Sequence, residues 1–286
     1  MAQKTCTESQ AGLPDKKIWV DERYDSYERF FDHNWARRFL GLSQGKTFDP
    51  AALDLCTDWK GAASNASMPW LLIFTLQSFH RGYMQRNEPF WRRLTIAIRR
   101  HIIGNKSISL SNRQRKKLAG IIDGLGLQVQ NEMSQRPPEL SAEQLWRDYL
   151  TVPEFNLALW SSQRICYGAI YHAYENFLRE FASIKKPQLR DALAKISKVK
   201  DALADILGKA TTYKLLEEND VVIARLVRNA LAHNGGRASH KLLAMQHPLR
   251  IEEGVVQIMA PDVRQLFDLL KKKVMLLAEQ APSDLR

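Results

Sequence analysis

The stretch Val221-Val222-Ile223-Ala224-Arg225-Leu226-Val227-Arg228-Asn229-Ala230-Leu231-Ala232-His233-Asn234-Gly235-Gly236 repeats apolar residues at helical spacing and stops at a double glycine. Val221, Val222, Ile223, Leu226, Val227, Ala230 and Leu231 form one stripe of a helix. Asp220 is the expected N-cap and Gly235-Gly236 the expected stop. Arg225, Arg228, Asn229, Ala232 and His233 then fall on the opposite side. Asn229 and His233 are one turn apart. Arg228 and His233 lie roughly 140° apart around the axis, so they meet at one ligand only through the length of the arginine. Arginine holds a phosphate with two parallel hydrogen bonds. Histidine is the side chain suited to moving a proton near neutral pH. The pair could therefore cut a phosphodiester bond without a metal. The alternative is a solvated basic face closed by a capping histidine.

Outward from this helix, the pattern predicts an all-α chain. A long helix over 154–185 carries an apolar stripe of Ile170, Tyr171, Tyr174, Phe177, Leu178 and Phe181. Beside it runs a polar line, Arg164, Gly168, His172, Glu175 and Arg179, which either borders a site or is a solvated face laced with turn-spaced pairs. A helix over 189–210 precedes the motif helix. Residues 249–259 suggest one small β-hairpin around Glu253-Gly254, and Asp262 starts a last helix. Towards the N-terminus, Tyr24, Tyr27, Phe30, Phe31, Trp35 and Phe39 read as core of a helix over 24–42, followed by helices over 50–60, 70–84, 89–103 and 110–122. Gly124 and Gly126 mark turns, and 135–139, with Pro137-Pro138, reads as a loop. Ser141 and Gln144 have the form of a capping box. A boundary near Thr151-Val152-Pro153 divides a helical, basic domain (1–152) from a second helical domain (153–286).

The net charge of +11 is concentrated. Residues 81–117 hold eleven Lys and Arg against one acid, Glu88, whereas the remainder of the chain is close to neutral. Arg92, Arg93, Arg99 and Arg100 lie opposite an apolar stripe of Trp91, Leu94, Ile98 and Ile102, and Arg113, Arg115, Lys116 and Lys117 follow. Such a block is the footprint of a phosphate-backbone binder, or else a solvated helix that aids solubility. The longest apolar run, Trp70 to Leu76, is too short to span a membrane. Met1-Ala2-Gln3-Lys4-Thr5-Cys6 lacks the apolar core of a signal peptide. Cys6, Cys56 and Cys166 are odd in number and far apart, so no disulfide framework is expected and a cytoplasmic protein is. His233, His240 and His247 recur by sevens without an acid or cysteine at ligand spacing; no metal and no cofactor is expected.

Arg228-Asn229-Ala230-Leu231-Ala232-His233 resembles the Arg-polar-x3-His motif of the HEPN superfamily of helical domains. The flanks agree with it: an aromatic helix with Tyr171-His172-Ala173-Tyr174-Glu175-Asn176-Phe177-Leu178 comes first, then a second amphipathic helix, then the motif. The resemblance implies an antiparallel helical bundle in the C-terminal half. It also implies metal-independent endoribonuclease activity, of the kind found in toxin–antitoxin, phage-defence and RNA-processing systems. His233 would be general base or acid, Arg228 would stabilise phosphoryl charge, and Asn229 would orient the phosphate or the histidine. Glu175, His172, Arg225 and Arg237 are candidate supporting residues. Transesterification needs an acid and a base and the motif has one histidine, so a homodimer joining two motif helices is expected, as the resemblance also implies. RNA is the expected partner, with an antitoxin or other protein as a further one and no membrane. The competing function is a non-catalytic dimerisation or nucleic-acid-binding module.

Overall fold

The structure, a computed structural model, describes residues 24–104, 111–134, 141–147, 153–190 and 196–282. Among these the fold is all-α apart from one hairpin. The helices are α1 (His33–Ser43), α2 (Asp49–Ala66), α3 (Met68–Gly104), α4 (Asn112–Ser134), α5 (Ala142–Leu145), α6 (Pro153–Ser183), α7 (Ile196–Leu207), α8 (Lys209–Leu216), α9 (Asn219–His233), α10 (His240–Leu243) and α11 (Ala260–Gln280). Single 3-10 turns stand at Tyr24–Tyr27 and Pro187–Arg190. Strands β1 (Arg250–Glu252) and β2 (Val255–Gln257) pair antiparallel, with Ile251 opposite Val256. No described helix is long and apolar enough to cross a membrane.

The chain forms two compact units, one made of the chain up to Trp70 together with that from Leu150, the other of Leu71–Tyr149. The expected first domain is therefore divided. Its opening helices complete the C-terminal bundle because their aromatic faces have nowhere else to be buried. Helix α6 is the axis of the first unit and touches α2, α7, α9 and α11. Trp59, Phe39 and Phe48 are fully enclosed, and Trp59 packs edge-on to Phe267 of α11 while Phe39 meets Phe177 of α6. Two side-chain N–H groups where α2 meets α6 are matched: Trp59 Nε1 donates to the Ile170 carbonyl at 2.9 Å, and Gln163 Nε2 to that of Ala66 at 3.1 Å. An unmatched buried N–H there would cost about 1–3 kcal/mol. The stripe of Ile170, Tyr171, Tyr174, Phe177, Leu178 and Phe181 is buried throughout, as its spacing predicts.

Several local signals are overridden. The expected helix over 24–42 breaks into a 3-10 turn and α1, with Asp32 capping the latter through Asn34 and Trp35 N–H. The helices expected over 70–84 and 89–103 are one, since α3 runs through Pro89. Helix α4 likewise continues through Gly124 and Gly126. Gly126 serves close approach instead of a turn, because a Cβ there would stand 2.8 Å from Thr95 Cγ2 of α3. The helix over 189–210 is interrupted at Gly208, whose φ of +81° separates α7 from α8. The capping box of Ser141 and Gln144 is formed, Ser141 N–H donating to Gln144 Oε1 at 2.8 Å. The predicted loop 135–139 lies outside the described residues.

Candidate functional site

Helix α9 begins after Glu218, not after Asp220, which sits inside its first turn. It ends where the sequence says: Asn234 is the C-cap, and Gly235 and Gly236 turn the chain with φ of +61° and +91°. The apolar side of α9 packs on α6, and this packing decides where the polar residues go. Arg228 is not on an open face. Its Nη2 forms an ion pair with Glu175 of α6, both side chains being largely enclosed at 17% and 7% exposure. Its Nη1 donates to Asn229 Oδ1 at 3.0 Å, and its guanidinium stands 5.8 Å from the centre of the Tyr171 ring. Each Nη carries two hydrogens, so both keep one for a ligand. Burial lowers the Arg228 pKa, but an arginine at this depth stays charged.

Between α6 and α9 opens a cleft of about 670 Å³. Its wall carries three arginines, Arg164, Arg179 and Arg228, and two histidines, His172 and His233. Ile165, Leu231, Ala232, Gly168 and Ser161 complete it, and no carboxylate lines it among the described residues. Glu175 is spent on Arg228 behind the wall. Four members of the polar line read from α6 thus share one cleft, and the fifth anchors the motif arginine. His172 is held by Asn176, whose Nδ2 lies 3.1 Å from His172 Nε2. Its side chain is open to solvent yet partly desolvated by the cleft wall, and its pKa is lowered first by that desolvation and then by the charges of Arg228 and Arg179, against a small opposing effect of Asp58. The ring is therefore neutral at neutral pH.

Arg164 is the residue that motif reasoning leaves out of the site. Its guanidinium lies 4.3 Å from the Trp160 ring centre and against Gly236, where a Cβ would come within clashing distance of its Nη2. The second glycine of the motif is thus needed both for its positive φ and for room beside Arg164. The signal that points to Arg164 is its place one turn before Gly168 on the polar line. Arg225 and Arg237 do not line the cleft. Arg225 bears on the Tyr171 phenol, which burial pushes up to about 12. Arg237 is exposed and bridges to Val255 through its backbone. His240 and His247 also stand outside the cleft.

In the Leu71–Tyr149 unit, Arg93, Arg99, Arg100, Arg113, Lys116 and Lys117 are exposed. Arg99 pairs with Asp123 at 3.1 Å, and Arg115 Nη1 donates to the Ile103 carbonyl at 2.6 Å. Leu94 and Ile98, expected to face inward, are 36% and 40% exposed. The side chains of Trp91, Arg92 and Ile102 lie outside the described residues. A shallow groove on α3 brings Arg93, Arg100 and His101 together.

Comparison with family models, with curated proteins and with solved structures finds no match to this chain.

Proposed function

We propose that the chain is a metal-independent endoribonuclease whose reaction centre is the cleft between α6 and α9. The observation that carries this reading is the composition of that cleft: three guanidiniums and two imidazoles with no competing carboxylate among the described residues of its wall. Guanidiniums attract and orient a phosphodiester and offset the charge that gathers on its oxygens in the transition state. An imidazole supplies the proton transfer that a 2′-hydroxyl attack requires. Arg228 is fixed in place before substrate arrives, because Glu175 and Asn229 hold it; such preorganisation is what electrostatic stabilisation needs. The motif resemblance to the HEPN superfamily points the same way and suggests a cytoplasmic role in defence, toxin–antitoxin pairing or RNA processing. The exposed cations of the Leu71–Tyr149 unit would hold the RNA backbone.

The test is incubation of the purified protein with mixed RNA in EDTA, beside His233→Ala. Cleavage by the wild type and none by the variant supports the reading. A second reading has one observation in its favour: both Nη atoms of Arg228 already have partners, as in an arginine that only ties two helices together. A protein that binds RNA but leaves it whole would be this non-catalytic module.

A further inference from the structure

The geometry points to His172 as the second proton-transfer residue of the cleft, so that one chain carries both the base and the acid of RNA transesterification. The inference rests on the ribonuclease reading and deepens it. That reaction requires one group to take a proton from the 2′-hydroxyl and another to give one to the leaving oxygen. The motif has a single histidine, and a partner chain is the source of the other that the motif alone suggests. The structure supplies it within the chain: His172 of α6 and His233 at the end of α9 line the same cleft, with Arg228 beside them. Arg228 precedes His233 by five residues, about 7.5 Å along the helix axis.

The surroundings of His172 assign it the role of base, which leaves that of acid to His233. Arg228 from α9, Arg179 and Asn176 from α6 and Asp58 from α2 surround His172, and the balance of desolvation and two cations keeps its ring neutral. A neutral imidazole is a base. With the Asn176 amide donating to Nε2, that nitrogen carries the lone pair. The amide is exposed and occupies the place that a substrate hydroxyl takes when it donates there. His172 then accepts the 2′-hydroxyl proton as the bond from O2′ to phosphorus forms. The bond from phosphorus to O5′ breaks, and His233 as imidazolium gives its proton to O5′. One proton is taken and one given. The products are a 2′,3′-cyclic phosphate and a 5′-hydroxyl, and exchange with water resets the two rings.

The experiment is single-turnover cleavage of a defined RNA across pH by wild type, His172→Ala, His172→Gln, His233→Ala and an equimolar mixture of His172→Ala with His233→Ala. Thermal melting of each checks folding; His172 is exposed, so its variants are expected to fold. Loss of His172 should lower the rate by about 10²–10⁴-fold, the usual contribution of general acid–base catalysis, with RNA affinity nearly unchanged. The wild-type rate should rise with pH through a value below the ordinary imidazole range, and that limb should vanish in both His172 variants. Imidazole in the buffer should restore part of the His172→Ala rate, which a merely structural role would not allow. The mixture should stay inactive. A His172→Ala rate equal to wild type with its acid limb intact overturns the inference. So does recovered activity in the mixture, which would place the two imidazoles on different protomers. A wild-type protein that cuts no RNA removes the ribonuclease reading itself, and this inference with it.

Discussion

In the unit built on α6, the cleft cations Arg164 and Arg228 are held; among the described residues of Leu71–Tyr149 the cations are many and most face solvent. Arg228 is fixed by Glu175 and Asn229, and Arg164 by Trp160 and the glycine turn. Arg93, Arg100, Lys116 and Lys117 stand exposed on two helices whose apolar residues are also partly open. Net charge measures the second arrangement and is blind to the first. A solvated cation attracts any phosphate backbone and loses its grip as salt rises. A half-buried guanidinium in a cleft that no described carboxylate lines would, on the proposed reading, act on one phosphate at one place. On the proposed ribonuclease reading, the contrast divides labour between an electrostatic surface and a chemical centre.

The largest effect is expected at Trp59, which ties the N-terminal helices to α6 and α11. Trp59→Ala should cost about 3–5 kcal/mol of stability by chemical denaturation, as deletions of enclosed aromatics do. A small loss would mean that α1 and α2 are not integral to the bundle. Arg228→Ala follows. It strands the Glu175 carboxylate, so a loss of about 3 kcal/mol is expected together with loss of cleavage. Adding Glu175→Gln should recover much of the stability and none of the activity. If the double variant cleaves RNA, Arg228 is a tie between helices and nothing more.

Gly236→Ala should have a smaller effect, about 1–3 kcal/mol for an alanine at a positive φ. It should also weaken RNA binding, because the new methyl displaces Arg164. Unchanged affinity would remove Arg164 from the site. The mildest effect on chemistry is expected from replacing Arg93, Arg100, Lys116 and Lys117 with Gln. Binding should weaken, and the slope of log K against log salt should fall by about 0.7 for each phosphate that the variant no longer neutralises. Cleavage at saturating RNA should persist. A slope that does not move would show these residues to be a solubilising face.

Much of the bundle is legible in the sequence because it follows from periodicity. The stripe from Ile170 to Phe181 and the helix ending at Gly235-Gly236 are local patterns with one packing solution. What escapes is set by neighbours distant in sequence. Gly126 reads as a turn because glycine breaks helices, but its missing Cβ is what lets α4 lie against Thr95. A boundary at 151–153 overlooks that Trp59 and Phe39 need Phe267 and Phe177 to be buried. At the site, Arg228, Asn229 and His233 are visible as a motif, and Glu175 and His172 as members of a polar line. That the line and the motif face one another across a cleft depends on how α6 meets α9, which spacing alone does not encode. Arg164 is visible as a member of the same line, but its packing against a glycine 72 positions away is not.

The most direct test of the cleft as a ribonuclease centre is the fate of an end-labelled RNA beside its 2′-deoxy counterpart, incubated in EDTA with wild type and with His233→Ala. The expected result is fragments of the RNA ending in 2′,3′-cyclic phosphate, formed by the wild type alone, with the 2′-deoxy strand bound but whole. RNA left intact by the wild type, or cut equally by His233→Ala, would contradict it.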